Sequence, residues 1–250
     1  MIIPPPPVVL AYGIGVDSTA LLLIELHARG QGPDLVLTAD TGNEKPATYA
    51  YLDVIGPWMR DRGIRHEIVS YVPKRFKHWP PYYGILEMCL TNATLPSKSL
   101  GGSSCSLKYK KAPQDAYLRT WQPALDAWAR GQRVVRLIGY DAGPRDTARA
   151  NHALSIDDPL YDCRSPLRDW RWDRPDCVAR IEAEGLPVPP KSACWLHRQQ
   201  AGRDPGPAGM VPAADRTGRS TRRTASAYRR RAVAQIDQGS SRIDDRVHPR

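Results

Sequence analysis

The chain has 250 residues and a formal net charge of +10, with 36 Lys and Arg against 26 Asp and Glu. This length is sufficient for one α/β domain with a sizeable core. The first residues lack the basic segment and long apolar helix of a signal peptide or membrane anchor, so we expect a cytoplasmic protein with no membrane partner. Five cysteines in such a chain favour free thiols or metal ligands over a disulfide framework.

The excess positive charge is concentrated at the end of the chain. Residues 197–250 contain 12 Arg and 5 Asp but no Lys, Glu or Leu, which leaves 24 basic and 21 acidic side chains in residues 1–196. A segment of this composition cannot bury enough apolar surface to fold. We therefore predict a domain over 1–196 and a disordered basic tail over 197–250. Nucleic acid as a partner is suggested mainly by this tail.

The first predicted element is a buried strand that turns sharply into a helix. A short apolar run from Val8 to Tyr12 is followed by two glycines, an Asp-Ser-Thr sequence and a leucine-rich segment. The two glycines allow the backbone to approach a ligand closely, and the start of a helix favours an anion. The hydroxyls of Ser18 and Thr19 can donate to that anion. The turn is a candidate phosphate site, and an ordinary strand-to-helix connection is the alternative.

A second buried strand is predicted from Leu35 to Ala39, followed by a polar loop and a helix that runs from Pro46 to about Arg62. Strand, loop and helix again form the unit of a doubly wound sheet, in which ligands lie at the carboxyl ends of the strands. Asp40 should therefore face the same crevice as the glycine loop. A simple turn with a helix cap is an equally good interpretation of this loop.

Ile64 to Val72 predicts a third strand, and its weak alternation suggests burial on both faces. The segment from Pro73 to Ser104 is rich in aromatic and basic residues. Such a segment can bind a nucleotide or nucleic acid by stacking and charge, or it can pack its aromatic rings beneath itself. We expect a substrate-facing loop.

The second half of the chain continues the same alternation. A helix is predicted over 112–130, where Pro123 should kink or split it. Val134 to Gly139 predicts a fourth strand. Asp141 and Arg145 follow this strand and become candidates for ligand contact by the same crevice argument, although a solvated loop cation is the alternative for Arg145.

Four separated motifs resemble those of one family. The loop Tyr12-Gly13-Ile14-Gly15-Val16-Asp17-Ser18-Thr19 closely resembles the pyrophosphate loop of the adenine-nucleotide alpha-hydrolase superfamily, with Ile14 where the family usually has glycine. Three further motifs are similar to those of its phosphoadenosine phosphosulfate (PAPS) reductase-like members: Ala39-Asp40-Thr41-Gly42-Asn43-Glu44, Ser104-Cys105-Ser106-Leu107-Lys108-Tyr109-Lys110 and Gly139-Tyr140-Asp141-Ala142-Gly143. The resemblance covers roughly residues 8–197 and implies a doubly wound, mainly parallel sheet with helices on both sides.

The resemblance implies an enzyme that binds ATP or PAPS. The phosphate site would consist of Tyr12, Gly13, Gly15, Val16, Asp17, Ser18 and Thr19, and the nucleoside site of Asp40, Thr41, Gly139 and Asp141. The expected catalytic residues are Asp17, which could carry Mg²⁺, and Lys108 and Arg145, which would lie near anionic groups. With ATP, attack at the alpha-phosphorus would release pyrophosphate and adenylate a second substrate that the sequence does not identify.

Two chemistries can be built on Cys194. Together with Cys105 and His197 it could hold zinc or an iron–sulfur cluster beside the crevice. Alternatively, it stands in for the cysteine of assimilatory PAPS reductases, which attacks sulfur. The Glu and Gly of that motif are missing here, so the metal site is preferred. Cys177 falls on the apolar face of a helix that Asp173 is placed to cap, and we expect it to be buried.

The sequence leaves one alternative to an enzyme open, which is a nucleotide-binding or DNA-associated module of a phage or defence system, without turnover.

A separate hypothesis concerns the tail. The tail begins where the family would supply a second cysteine three residues after Cys194. We predict that residues from about His197 are a wrong-frame translation of the family's C-terminus, which would leave an incomplete metal site and weak activity. Sequencing the gene tests this.

Overall fold

A computed structural model describes residues 3–73, 81–93 and 106–192. The predicted basic tail and the three predicted metal ligands, Cys105, Cys194 and His197, lie outside the described residues, so these expectations stay predictions. All described residues belong to one compact unit, residues 1–197. Among them, no helix is both long and apolar enough to cross a membrane.

The described residues form five strands that alternate with helices. In chain order the elements are β1 (Val8–Tyr12), α1 (Val16–Arg29), β2 (Leu35–Asp40), α2 (Pro46–Asp61), β3 (His66–Ser70), α3 (Ile85–Thr91), a π-helical segment (Leu107–Lys111), α4 (Ala112–Leu118), α5 (Gln122–Ala129), β4 (Val134–Ile138), α6 (Pro144–Leu154), β5 (Tyr161–Arg164), α7 (Pro166–Asp169) and α8 (Arg174–Ala183).

All five strands are parallel, in the order β3-β2-β1-β4-β5. The chain first builds the sheet outward from β1 to β3 and then returns to the other side of β1, where it adds β4 and β5. This confirms the predicted α/β doubly wound fold. The reversal of order between β1 and β4 creates a crevice at their carboxyl ends, which is where ligands bind in open sheets of this kind.

Neighbouring residues of β1 point to opposite faces of the sheet, and each face carries its own apolar cluster. Leu10 packs on one face with residues of α1 and α2, such as Leu22 and Ile55. Val9 packs on the other face with residues of β2 and α4, such as Leu37 and Leu118. Because helices cover both faces, every residue of β2 is buried, as its apolar sequence predicts.

The two edge strands differ from the sequence-based expectation. Every residue of β3 is only half-buried, so the predicted burial on both faces is wrong. The physical reason is that, within the described residues, β3 pairs only with β2 and lies at the edge of the sheet. The other edge strand, β5, was not predicted, because Tyr-Asp-Cys-Arg is short and mostly polar.

Other local expectations are confirmed. The helix predicted over 112–130 is split, with α4 ending at Leu118 and α5 starting just before Pro123. Asp173 caps α8, since its side chain accepts a hydrogen bond from the Asp176 N–H at 3.3 Å. Cys177 is fully buried.

Candidate functional site

The loop between β1 and α1 contains one strained residue. Ile14 has a φ of +56°, whereas the N-cap Gly15 is extended, with a φ of −113°. We expected the glycines to supply the unusual backbone conformation, and the structure instead places it at Ile14, where the family that this loop resembles usually has glycine. A β-branched residue pays a steric cost in the left-handed region. The buried Ile14 side chain, which belongs to the core, offsets this cost.

This conformation predicts an inverted order of stability for two substitutions. We expect Ile14→Gly to be more stable than Ile14→Ala by about 1 kcal/mol. Both variants lose similar amounts of the core packing of the isoleucine side chain, but only glycine adopts a positive φ without strain. At Ile55, which is buried inside α2, the order should be the usual one, with alanine more stable by about 1 kcal/mol. Urea denaturation of the four variants measures both differences. The same order at both positions would contradict a left-handed Ile14.

The hydroxyls of the glycine loop are bonded to the loop itself. The Ser18 Oγ accepts from the Gly13 and Gly15 N–H groups, each at 3.3 Å, and donates to the Gly15 carbonyl at 3.1 Å. The Thr19 Oγ1 donates to the same carbonyl at 2.8 Å and is hydrogen-bonded to the buried Tyr12 hydroxyl at 2.9 Å. Ser18 and Thr19, expected to donate to a ligand, therefore stabilise the turn. Two N–H groups that converge on one oxygen have the geometry that an anion oxygen can use.

The loop after β4 touches the first turn of α1. A Cβ on Gly139 would lie 2.7 Å from the Ser18 nitrogen and 2.9 Å from its Cα. Gly139, predicted as a nucleotide contact, thus has a structural role that only glycine can fill, because backbone atoms cannot yield as a flexible side chain can. The start of α1 and the loop after β4, which flank the switch point, therefore lie close together there.

Three carboxylates meet at this point. Asp17 lies in the first turn of α1, Asp141 in the loop after β4, and Asp146 in the first turn of α6, and oxygens of all three lie within 4.8 Å of one another. Asp141 accepts from the Gly143 N–H at 2.9 Å, and Asp146 pairs with Arg149 at 2.9 Å. Asp17 and Asp141 are predicted site residues. The sequence analysis did not single out Asp146. The signal that could have found it is its position in the first turn of the helix that starts after Gly143.

The environment of Asp17 disfavours its charge. Burial, together with the charges of Asp141 and Asp146, raises the pKa of Asp17 to about 6, although Arg174 and Arg149 act in the opposite direction. The Arg174 Nη1 lies 3.6 Å from the Asp17 Oδ2. The Oδ1 is buried and has no hydrogen-bond partner in the described part of the chain. Clustered carboxylates with a free oxygen fit the oxygen ligand set of Mg²⁺ or Ca²⁺.

A second polar group follows β2, on the other side of β1. The Asp40 Oδ1 accepts from the Gly42 N–H at 2.8 Å and from the Tyr49 hydroxyl at 2.6 Å. These hydrogen bonds agree with the alternative interpretation of this loop as a simple turn. The predicted contact of Asp40 and Thr41 with a nucleoside stays a prediction. Beside them, the Glu44 Oε1 pairs with the Lys110 Nζ at 3.0 Å.

The three predicted catalytic residues lie in different surroundings. Asp17 is at the switch point. The Lys108 Nζ donates to the Tyr82 hydroxyl at 3.1 Å and lies 4.4 to 5.5 Å from the ring centres of Tyr71, Tyr82 and Tyr109, so its ammonium is held in an aromatic cluster. Arg145 lies in the first turn of α6, directly before Asp146, and its side chain is outside the described part of the structure.

Comparison with known proteins does not assign the chain to a family. A scan against protein-family models found no match, and a search of curated proteins found none either. The fold and site therefore define the class of protein only as a doubly wound α/β domain with an acidic cluster at its switch point.

Proposed function

We propose that the chain is a Mg²⁺-dependent adenine-nucleotide enzyme of the PAPS reductase-like type, which binds the phosphates of ATP at residues 13–19 and acts by attack at the alpha-phosphorus. The observation that carries this proposal is the acidic cluster of Asp17, Asp141 and Asp146 beside the glycine loop. Phosphates and carboxylates at such short range repel each other unless a cation lies between them. The chemistry of the cluster thus favours a metal–nucleotide complex over a nucleotide alone.

Each group near the loop has a defined part in this proposal. The N–H groups of Gly13 and Gly15 would bind a phosphate oxygen in place of the Ser18 hydroxyl. The three aspartates would hold Mg²⁺, which supplies charge neutralisation at the phosphates. Arg174 is 43% exposed and only loosely paired with Asp17, so its guanidinium is available for an anionic oxygen. The second substrate would receive the adenylyl group as pyrophosphate leaves.

The thiol-dependent alternative, reduction of PAPS, receives no support from the described cysteines. Attack on sulfur needs a thiolate, but burial raises the pKa of the Cys163 and Cys177 thiols, the latter to about 12. Cys194, the residue on which that alternative depends, lies outside the described residues. The acidic cluster also has no part in thiol chemistry, which requires no metal at the phosphates.

Calorimetry with ATP and PAPS, each with Mg²⁺ and with EDTA, tests the proposal. We expect ATP to bind at least about 10-fold more tightly with Mg²⁺, since each charge-assisted contact is worth more than 1 kcal/mol. Asp146→Asn should reduce this metal dependence, while Asp53→Asn, on the exposed face of α2, should not.

Pyrophosphate release in the presence of candidate acceptors distinguishes the enzyme from a binding module, which would retain ATP without releasing pyrophosphate. Equal ATP affinity with Mg²⁺ and EDTA, or tighter and metal-independent binding of PAPS, would contradict the proposal.

A further inference from the structure

Glu44 has one carboxylate oxygen that the fold leaves unused. Its side chain is only 5% exposed. The Oε1 accepts from the Lys110 Nζ at 3.0 Å and from the Thr41 hydroxyl at 3.4 Å. The Oε2 is buried and has no hydrogen-bond partner among the described residues. A buried acceptor without a hydrogen bond lowers the stability of the fold by about 1–3 kcal/mol, and by more when it is charged. A hydrogen-bond donor at this oxygen would therefore be stabilising.

No described residue donates a hydrogen bond to this oxygen. The neighbouring Asp40 already takes the Tyr49 hydroxyl and the Gly42 N–H. Lys110 is 45% exposed, so the ion pair reaches the surface of the protein at one end. A ligand that supplies a donor to the Oε2 would remove the cost of the unsatisfied oxygen.

The position of Glu44 in the sheet indicates which part of a ligand it would meet. Glu44 follows the carboxyl end of β2, the direct neighbour of β1. Because β2 pairs directly with β1, the loop that carries Glu44 leaves the sheet beside the strand that leads into the glycine loop. In a nucleotide whose phosphates occupy that loop, the sugar is the group next to the phosphates. Acidic residues beside such loops accept hydrogen bonds from ribose hydroxyls in other doubly wound folds.

We propose that the Glu44 Oε2 accepts a hydrogen bond from a ribose hydroxyl of the bound nucleotide, which makes Glu44 a specificity residue for ribonucleotides with that hydroxyl free. This inference rests on the proposed function. Lys110 has a positioning role, since it holds the Oε1 and leaves the Oε2 to the ligand. A nucleotide without the hydroxyl leaves the oxygen buried and unpaired, and sites of this kind reject such analogues strongly.

Calorimetry of the full chain with Mg²⁺ and either ATP, 2′-deoxy-ATP or 3′-deoxy-ATP tests the inference. The wild type is expected to bind one of the two deoxynucleotides at least about 10-fold more weakly than ATP, and the analogue affected identifies the hydroxyl. Glu44→Gln should weaken ATP binding by a similar factor and abolish the discrimination. The matched control is Glu182→Gln on the exposed side of α8, which should keep both the affinity and the discrimination.

Each failure has a separate signature. Equal binding of the three nucleotides by the wild type would overturn the ribose contact and leave the nucleotide site standing. Discrimination between the nucleotides that persists in Glu44→Gln would also overturn it. If the wild type binds no adenine nucleotide, the proposed function and this inference both fail. If Glu44→Gln does not fold, equal binding of the three nucleotides by the wild type still overturns the inference.

Discussion

Replacing Asp17 by asparagine is expected to abolish Mg²⁺-dependent nucleotide binding and, in the same protein, to increase the stability of the metal-free state. The first effect follows because the variant removes a charged ligand from the proposed metal site. The second follows because burial and the charges of Asp141 and Asp146 disfavour the Asp17 carboxylate. The amide is uncharged and similar in size, so it avoids this cost. Sites that bind charge commonly sacrifice stability in this way.

The pH dependence of this effect has a definite sign. The folded-state pKa of Asp17, about 6, lies above the ordinary aspartate value of 3.8, so between about pH 4 and pH 6 the folded protein binds more protons at this position than the unfolded chain. The stability contributed by Asp17 therefore falls as pH rises through that window. A shift of about two pH units corresponds to about 3 kcal/mol, which is the upper limit of the advantage of Asp17→Asn at pH 8. The advantage should vanish near pH 4.

Another group, the half-buried His66 of β3, titrates in the same window with the opposite sign. Burial lowers the pKa of His66 from 6.5 to about 4, so its contribution to stability is lost as pH falls through this range. Both proteins contain His66, and the difference between Asp17→Asn and the wild type cancels its effect. Denaturation in EDTA at pH 4, 6 and 8 measures that difference. Without nucleotide the variant should be the more stable protein at pH 8, and saturating Mg²⁺ and ATP should reverse the order.

A variant that is less stable than the wild type in EDTA at pH 8 would contradict the electrostatic account of Asp17. Asp53→Asn is the control, because this exposed side chain on α2 belongs to no acidic cluster in the described part of the chain. Asp53→Asn should have the same free energy of unfolding as the wild type at each pH. Unchanged Mg²⁺-dependent ATP binding in Asp17→Asn would remove Asp17 from the proposed site and with it the central ligand of the acidic cluster.

Short-range patterns were sufficient for most of the fold. The apolar run of β2, the proline near the start of α5 and the aspartate before α8 each act within a few residues, and the structure confirms the elements that they predict. The half-burial of β3 could not be predicted in the same way. Whether a strand lies at the edge or in the centre of a sheet depends on the order of the strands. That order depends on pairings between segments far apart in the chain.

The candidate site divides along the same line. Asp17 and Asp141 could be singled out because each follows a predicted strand. The contribution of Asp146 depends on how the first turn of α6 lies against α1, more than 120 residues earlier in the chain. Arg174 reaches Asp17 from yet another helix. The resemblance directed attention to the glycines of the first loop, but the backbone strain lies at Ile14. The signal for it was the glycine that the family usually has at this position.

The contact between the β4 loop and α1 gives the second large expected effect. We expect Gly139→Ala to lower the free energy of unfolding by about 1–3 kcal/mol, the usual cost of forcing an extra carbon into a packed site. The added Cβ would lie 2.7 Å from the Ser18 nitrogen, and relief of that contact must move the start of α1. The same movement displaces the loop N–H groups and Asp17, so nucleotide affinity should fall as well.

Gly13→Ala provides the matched control from the same site. A Cβ on Gly13 would meet only the Ser18 Oγ, at an ordinary contact distance of 3.9 Å, so its stability should stay within about 0.5 kcal/mol of the wild type. Urea denaturation of both variants, followed by calorimetry with ATP and Mg²⁺, measures the two effects. If Gly139→Ala is as stable as Gly13→Ala and binds ATP like the wild type, then the close approach of the two loops is not needed to hold the site.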